Sequence, residues 1–147
     1  MTTSTMAALK ANLKTELIAR AGLSGVQVTY GDIGDGQRWE SIRLGEIETG
    51  AQNPASLRSG KQRRRESYIL HVLVEVIGKP TPEANEARAI VLAGEVEDLV
   101  ASDPKVSSTP NLLFCYVEGM EMDTSEIAGE GPRTLVDITL QCEGNLL

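Results

Sequence analysis

Residues 63–77 read Arg63-Arg64-Arg65-Glu66-Ser67-Tyr68-Ile69-Leu70-His71-Val72-Leu73-Val74-Glu75-Val76-Ile77. From Tyr68 onward every second residue is apolar (Tyr68, Leu70, Val72, Val74, Val76), the period of a strand with one buried face. The residues between them, Ile69, His71, Leu73 and Glu75, are mixed. The second face of this strand is therefore only half polar, and is expected to meet solvent, a helix or another subunit. The prefix of the strand is a basic loop, and that pairing of loop and strand organises the rest of the chain.

Upstream, residues 49–62 are polar and aperiodic, and together with the arginines they form an expected polar and basic loop over about 49–65. A loop this long inside a compact domain is commonly functional or disordered. Before it, Trp39 to Glu48 reads as a strand with Ile42, Leu44 and Ile47 as apolar members. Val26 to Tyr30 is a short strand ending in the turn-forming run Gly31 to Gly36. Met6, Leu9, Leu13 and Leu17 mark an amphipathic helix over 4–21, with Thr2 to Thr5 offering an N-cap and Gly22 a C-terminal stop.

Downstream, Gly78-Lys79-Pro80 ends the strand. Thr81-Pro82-Glu83 starts a helix with a capping hydroxyl, a proline in the first turn and an acid where the helix dipole favours it. Ala89, Leu92, Ala93, Val96, Leu99 and Val100 form its buried stripe to about Ser102, before Asp103-Pro104. Leu112 to Met122 is a strand with an irregularity at Gly119. Asp123 to Pro132 is a turn-rich connection, and Leu135 to Glu143 a strand with Val136, Ile138, Leu140 and Cys142 inward. The order α-β-β-β-α-β-β predicts a single α+β domain over 1–147. Its form is a mainly antiparallel sheet of about five strands with two helices packed on one face.

At 147 residues the chain can bury a core without disulfides or metal. Aromatics make up 3%, which leaves little for base stacking. The net charge is −7, yet Arg58, Lys61, Arg63, Arg64 and Arg65 give residues 58–65 a charge of +5, so the remainder carries −7 − 5 = −12. An acidic body with a basic arm suits packing of the arm on a neighbouring subunit, where the planar fork of arginine pairs well with carboxylates. A solvated loop and nucleic-acid contact are the other readings of the same cluster. Two cysteines without close spacing indicate neither a disulfide framework nor zinc. The N-terminus does not read as a signal peptide, and no run approaches a membrane span, so a reducing cytoplasm is the expected setting.

Chemistry is sparse. His71 is the only histidine and sits mid-strand, so it is read as an interface or half-buried structural residue before a general base. Cys115 and Cys142 are read as core residues. Neither Gly31–Gly36 nor Ser59-Gly60-Lys61 has phosphate-loop spacing. Asp32 and Asp35, like Glu118, Glu121 and Asp123, are acids without a ligand pattern. No catalytic, cofactor or metal residue is assigned, and no enzyme is expected. The residues singled out are interface candidates: Arg58, Lys61, Arg63, Arg64, Arg65, Ile69, His71 and Leu73.

In layout the chain resembles the tail terminator proteins of long-tailed bacteriophages. The resemblance is carried by residues 8–35, by Trp39 to Glu48, by the arm and strand Arg63 to Val76, by the helix Thr81 to Pro104, by Cys115 to Asp123 and by Arg133 to Gly144. It implies a virion protein, assembled in the host cytoplasm, that forms a hexameric ring on the head-proximal end of the tail tube. Such a ring stops tube polymerisation and docks the neck. The implied partners are further copies of the chain, the major tail tube protein and a head-completion protein, with DNA at most passing through the lumen. Other head-tail connector proteins share this size and character.

Overall fold

The computed structural model describes residues 4–31, 39–56 and 63–146. Its elements are helix α1 (Met6–Ala19), a 3-10 turn (Ala21–Leu23), strands β1 (Gln27–Thr29), β2 (Glu40–Ser56) and β3 (Arg63–Ile77), helix α2 (Pro82–Ser102), and strands β4 (Leu112–Ile127) and β5 (Gly131–Leu146). The sheet order is β1-β2-β3-β5-β4. All pairings are antiparallel except the short parallel contact of β1 with β2. The α+β class, the element order and the placement of both helices on one face are those expected from the sequence.

β3 lies at the centre because its alternating apolar residues need cover on one side and a hydrogen-bonding strand along both edges. Tyr68, Leu70, Val72, Val74 and Val76 are all buried, as are their counterparts on β5, Val136, Ile138, Leu140 and Cys142. Ile42 and Leu44 of β2 extend that inner face. The stripe on α2 (Ala89, Leu92, Ala93, Val96, Leu99, Val100) and Leu9, Leu13 and Leu17 of α1 close over it into one cluster. A fully buried aliphatic side chain of this kind contributes about 1.5–3 kcal/mol.

Polar side chains fix how the helices sit on the sheet. The Thr81 hydroxyl accepts from the Ala84 N–H at 3.1 Å, capping α2 as the sequence suggests. One turn further, Asn85 is completely buried. Its amide donates to the Val76 carbonyl at 2.7 Å and to Thr134 at 2.8 Å, while its oxygen accepts from the Lys79 N–H at 3.2 Å. Arg88 holds Glu40 of β2 through two contacts, at 2.7 and 3.1 Å. This pairing keeps the Glu40 carboxyl below its usual range.

α1 begins only in part as expected. Thr5 stands at the N-cap with helical dihedrals and no side-chain cap bond of its own, while the Ser4 hydroxyl accepts from the Met6 N–H at 3.2 Å. A further acceptor comes from β3. The buried Glu66 carboxylate takes the Thr5 N–H at 3.0 Å, the Thr5 hydroxyl at 3.1 Å and the Ser4 hydroxyl. The Thr5 hydroxyl also meets the Tyr68 hydroxyl at 2.8 Å. A carboxylate at a helix N-terminus gains from the dipole as well as from the hydrogen bonds. Gly144, opposite Glu66, leaves the space for this approach, since a Cβ there would lie 2.9 Å from Thr5 Cγ2. The helix ends at Ala19, before Gly22, which lies in the 3-10 turn beside the Glu95 carboxyl.

Two expected connections are shorter than the sequence suggested. The polar stretch after Glu48 does not leave the sheet: β2 continues to Ser56 and pairs with Arg63, Arg64 and Arg65. What was read as a loop over 49–65 is, in its described part, the far end of a β2–β3 hairpin. Pro54 is tolerated there, beside register shifts at Thr49/Gln52 and Pro54/Ser56. Likewise β4 runs to Ile127 and β5 starts at Gly131, so only residues 128–130 turn where ten had been expected to. The irregularity read at Gly119 is present as a register shift between Val117 and Gly119.

Replacing Glu66 with alanine would remove the acceptor shared by the Thr5 N–H, the Thr5 hydroxyl and the Ser4 hydroxyl, and would leave the buried Thr5 N–H unpaired. The expected loss is about 1–3 kcal/mol, read as a lower urea midpoint with an unchanged slope. An unchanged midpoint would show that α1 is held by its leucines alone.

Candidate functional site

Of the residues singled out from sequence, Ile69, His71 and Leu73 share the face of the sheet away from the helices. They alternate with the buried set and are each half-buried. The buried stripes of both helices pack on the opposite face. Arg65 is exposed, with Asn53 and Asn145 as its strand partners. Arg63 and Arg64 start β3, and Arg64 is paired with Pro54 and Leu146. Arg58 and Lys61 lie outside the described residues, as do Asp32 and Asp35.

His71 is bound on both sides. Its Nδ1 lies 2.9 Å from Asp137 of β5, and its Nε2 lies 3.2 Å from Glu48 of β2. The hydrogen bond with Asp137, opposed by desolvation and aided by Glu48, raises the imidazole above its ordinary value. When protonated, the ring donates from both nitrogens and ties three strands together at the place where β2 bulges between Leu44 and Ile47. Around it is an open hollow of about 500 Å³, whose walls include Arg43, Gly45, Glu48, Leu73 and Asp137 and which Lys10 also lines.

A second ionic arrangement stands nearby. Glu75, almost fully buried although it alternates away from the core, receives Arg133 at 2.9 Å and Arg43 at 3.4 Å. One carboxylate flanked by two guanidiniums compensates the cost of burying it.

This geometry argues against a nucleophile served by His71. Cys115 and Cys142 are register partners across β4 and β5 and are buried under the helices, with the sheet between them and the imidazole. The contact with Cys115, followed by burial, pushes the Cys142 thiol upward. The Cys115 thiol donates to the Pro104 carbonyl at 3.3 Å. Among the described residues no group of three or more His, Cys, Asp or Glu side chains is placed to hold a metal ion. No helix is long and apolar enough to cross a membrane.

One surface went unnoticed in the sequence. β4 is the last strand of the sheet, so one edge of its backbone carries no partner strand among the described residues. It bears exposed Phe114 and Tyr116, stacked with ring centroids 6.0 Å apart, and exposed Met120 and Met122. Its charges are Glu118, Glu121, Asp123 and Glu126, with no base from Leu112 to Ile127. The available signal was that one-signed run, which had been taken as acids near a strand end.

The raised imidazole sets the sign of a pH effect. The stabilisation from His71 is fully present below its unfolded value of about 6.5. It is lost as pH rises above that value through the raised folded one. The thermal midpoint of the protein minus that of His71→Gln is therefore expected to shrink as pH rises above about 6.5. A flat difference would mean that the ring is not charged in the fold.

Comparison with protein-family models finds no match, and no curated protein sequence matches the chain. Among solved structures, the chain is similar to one in a structure described as the virion of a native gene transfer agent particle. The two share 21% identity and a TM-score of 0.64, with 97% of this chain and 98% of that chain covered. At this identity the likeness is one of fold, and it runs from end to end.

Proposed function

We propose that the protein is a structural subunit of a phage-like particle and, within it, a tail terminator. It assembles as a ring, most simply a hexamer, on the head-proximal end of the tail tube. There it stops tube polymerisation and offers a docking surface to the neck. The observation that carries this reading is the end-to-end likeness of fold to a chain from a gene transfer agent virion. The resemblance in layout to tail terminators supplies the finer role.

Two physical features support it. Ile69, His71 and Leu73 lie on a sheet face that no helix covers among the described residues and whose charged side chains are paired in place. Charge is segregated, +5 within residues 58–65 against −12 elsewhere, so copies attract through unlike regions. The chain acts by binding, without catalysis, cofactor or metal. Its partners are its own copies, the tail tube protein and a head-completion protein, and DNA passes at most through the lumen.

Light scattering on concentrated protein, together with electron microscopy of labelled particles, is expected to show rings and a collar at the head-proximal end of tails. Protein that stays monomeric, also on added tail tubes, and is absent from particles would overturn the reading. A collar on the capsid side of the neck would make it a head-completion protein instead.

The exposed Arg65 beside Arg63 and Arg64 favours one second reading, a nucleic-acid-binding module. That reading requires DNA affinity that falls steeply with salt and disappears when the three arginines become alanine. With an acidic body opposing phosphate, the expected result is no measurable DNA binding at physiological salt, by fluorescence anisotropy on labelled duplex.

A further inference from the structure

The two thiols of the chain, far apart in sequence, stand opposite each other in the sheet. Cys115 of β4 and Cys142 of β5 are register partners, and both are buried in the core beneath the helices. Directly opposed residues of an antiparallel pair have Cα atoms about 4.5 or 5.5 Å apart. A disulfide needs a Cα separation of about 4.4–6.8 Å and side chains that point the same way. Either kind of pair fits. Register shifts between Leu112 and Phe114 and between Val117 and Gly119 flank Cys115, so the ladder is interrupted on both sides and the strand can adjust there.

The surroundings of the two thiols differ. An open hollow of about 400 Å³ lies between the end of α2 and β4, and Cys115 lines it together with Glu97, Ala101, Pro104, Phe114 and Tyr116. Cys142 takes no part in its wall. The contact with Cys142 lowers the Cys115 thiol from its ordinary value, while that same contact and burial raise the Cys142 thiol. Reactivity follows the thiolate and its access, so Cys115 is the thiol that an oxidant meets first.

We propose that Cys115 and Cys142 form a redox staple: a low-molecular-weight disulfide converts them to a cross-strand disulfide that fixes the edge strand β4 to β5. The Cys115 thiolate attacks one sulfur of the reagent RSSR, forming a mixed disulfide with R–S and expelling RS⁻. The Cys142 thiolate then attacks the Cys115 Sγ, the bond from Cys115 to R–S breaks, and a second RS⁻ leaves. Each RS⁻ takes up the proton lost by one cysteine, so two protein thiols are oxidised while one RSSR is reduced to two RSH. A thiol-rich compartment holds the staple open and an oxidising one closes it. In the virion role proposed above, release from the host is that change of compartment. The staple itself depends only on the sheet, and its test needs no assembly.

The test uses the purified full-length protein, with bis-hydroxyethyl disulfide as the probe. The treated protein is expected to lose both free thiols and the mass of two hydrogens, with no reagent adduct and no cross-linked chains on a non-reducing gel. Its thermal midpoint is expected to rise by roughly 5–10 °C, because the cross-link restrains the unfolded chain. Dithiothreitol is expected to reverse both changes. Cys142→Ser is expected to stop at one stable adduct, mapped to Cys115 by peptide mass, and Cys115→Ser to take up the reagent about tenfold more slowly. Four results would overturn the inference: thiols that stay free in the folded protein yet react in urea, adducts retained on both cysteines, disulfide-linked dimers, or a disulfide that leaves the midpoint unchanged or lower.

Discussion

A sheet covered by helices on one side only imposes a division on every strand, and most of the structure follows from how that division is met. The inner residues of β3 and β5 are a continuous aliphatic layer under α1 and α2. The outer residues have no such cover, yet long side chains there still lie close together and partly out of water. Their polar members are therefore matched in place: His71 between Asp137 and Glu48, and Glu75 between Arg133 and Arg43. The outer face is thus a tied array of charges, and it is stiff for a reason unrelated to hydrophobic burial. Stiffness of this origin depends on protonation and ionic strength, where the core beneath it does not.

The sequence was most readable where burial governs. α2 lies between its capping threonine and Asp103 because the stripe, the proline and the stop all speak about the same helix. The inward residues of β3 and β5 were visible through their alternation. It was least readable where a strand exists because its neighbour does. Residues 49–56 and 123–127 carry no apolar rhythm. Their extended form comes from backbone pairing with β3 and β5. The start of α1 was hidden for a related reason, its acceptor being Glu66, far along the chain.

The candidate surface divides in the same way. That Ile69, His71 and Leu73 share a face follows from period two alone. That His71 is clamped depends on register, which brings β5 alongside β3 and sets the bulge in β2, and no local pattern encodes it. The edge position of β4 is likewise a property of strand order. Its acids look like ordinary solvation until the sheet shows that nothing in the described chain lies beside them.

The Glu66 latch also says something about time. A 14-residue helix is marginal on its own in water, and the N–H of its N-cap residue, Thr5, finds its acceptor in a residue 61 positions away. Closing that distance costs loop entropy before any return. α1 therefore docks late, after β3 has found its neighbours. Changes at Ser4, Thr5 or Glu66 should act mainly on how fast the protein unfolds and little on how fast it folds. The helix that comes first in the element order is in this sense among the last to be secured.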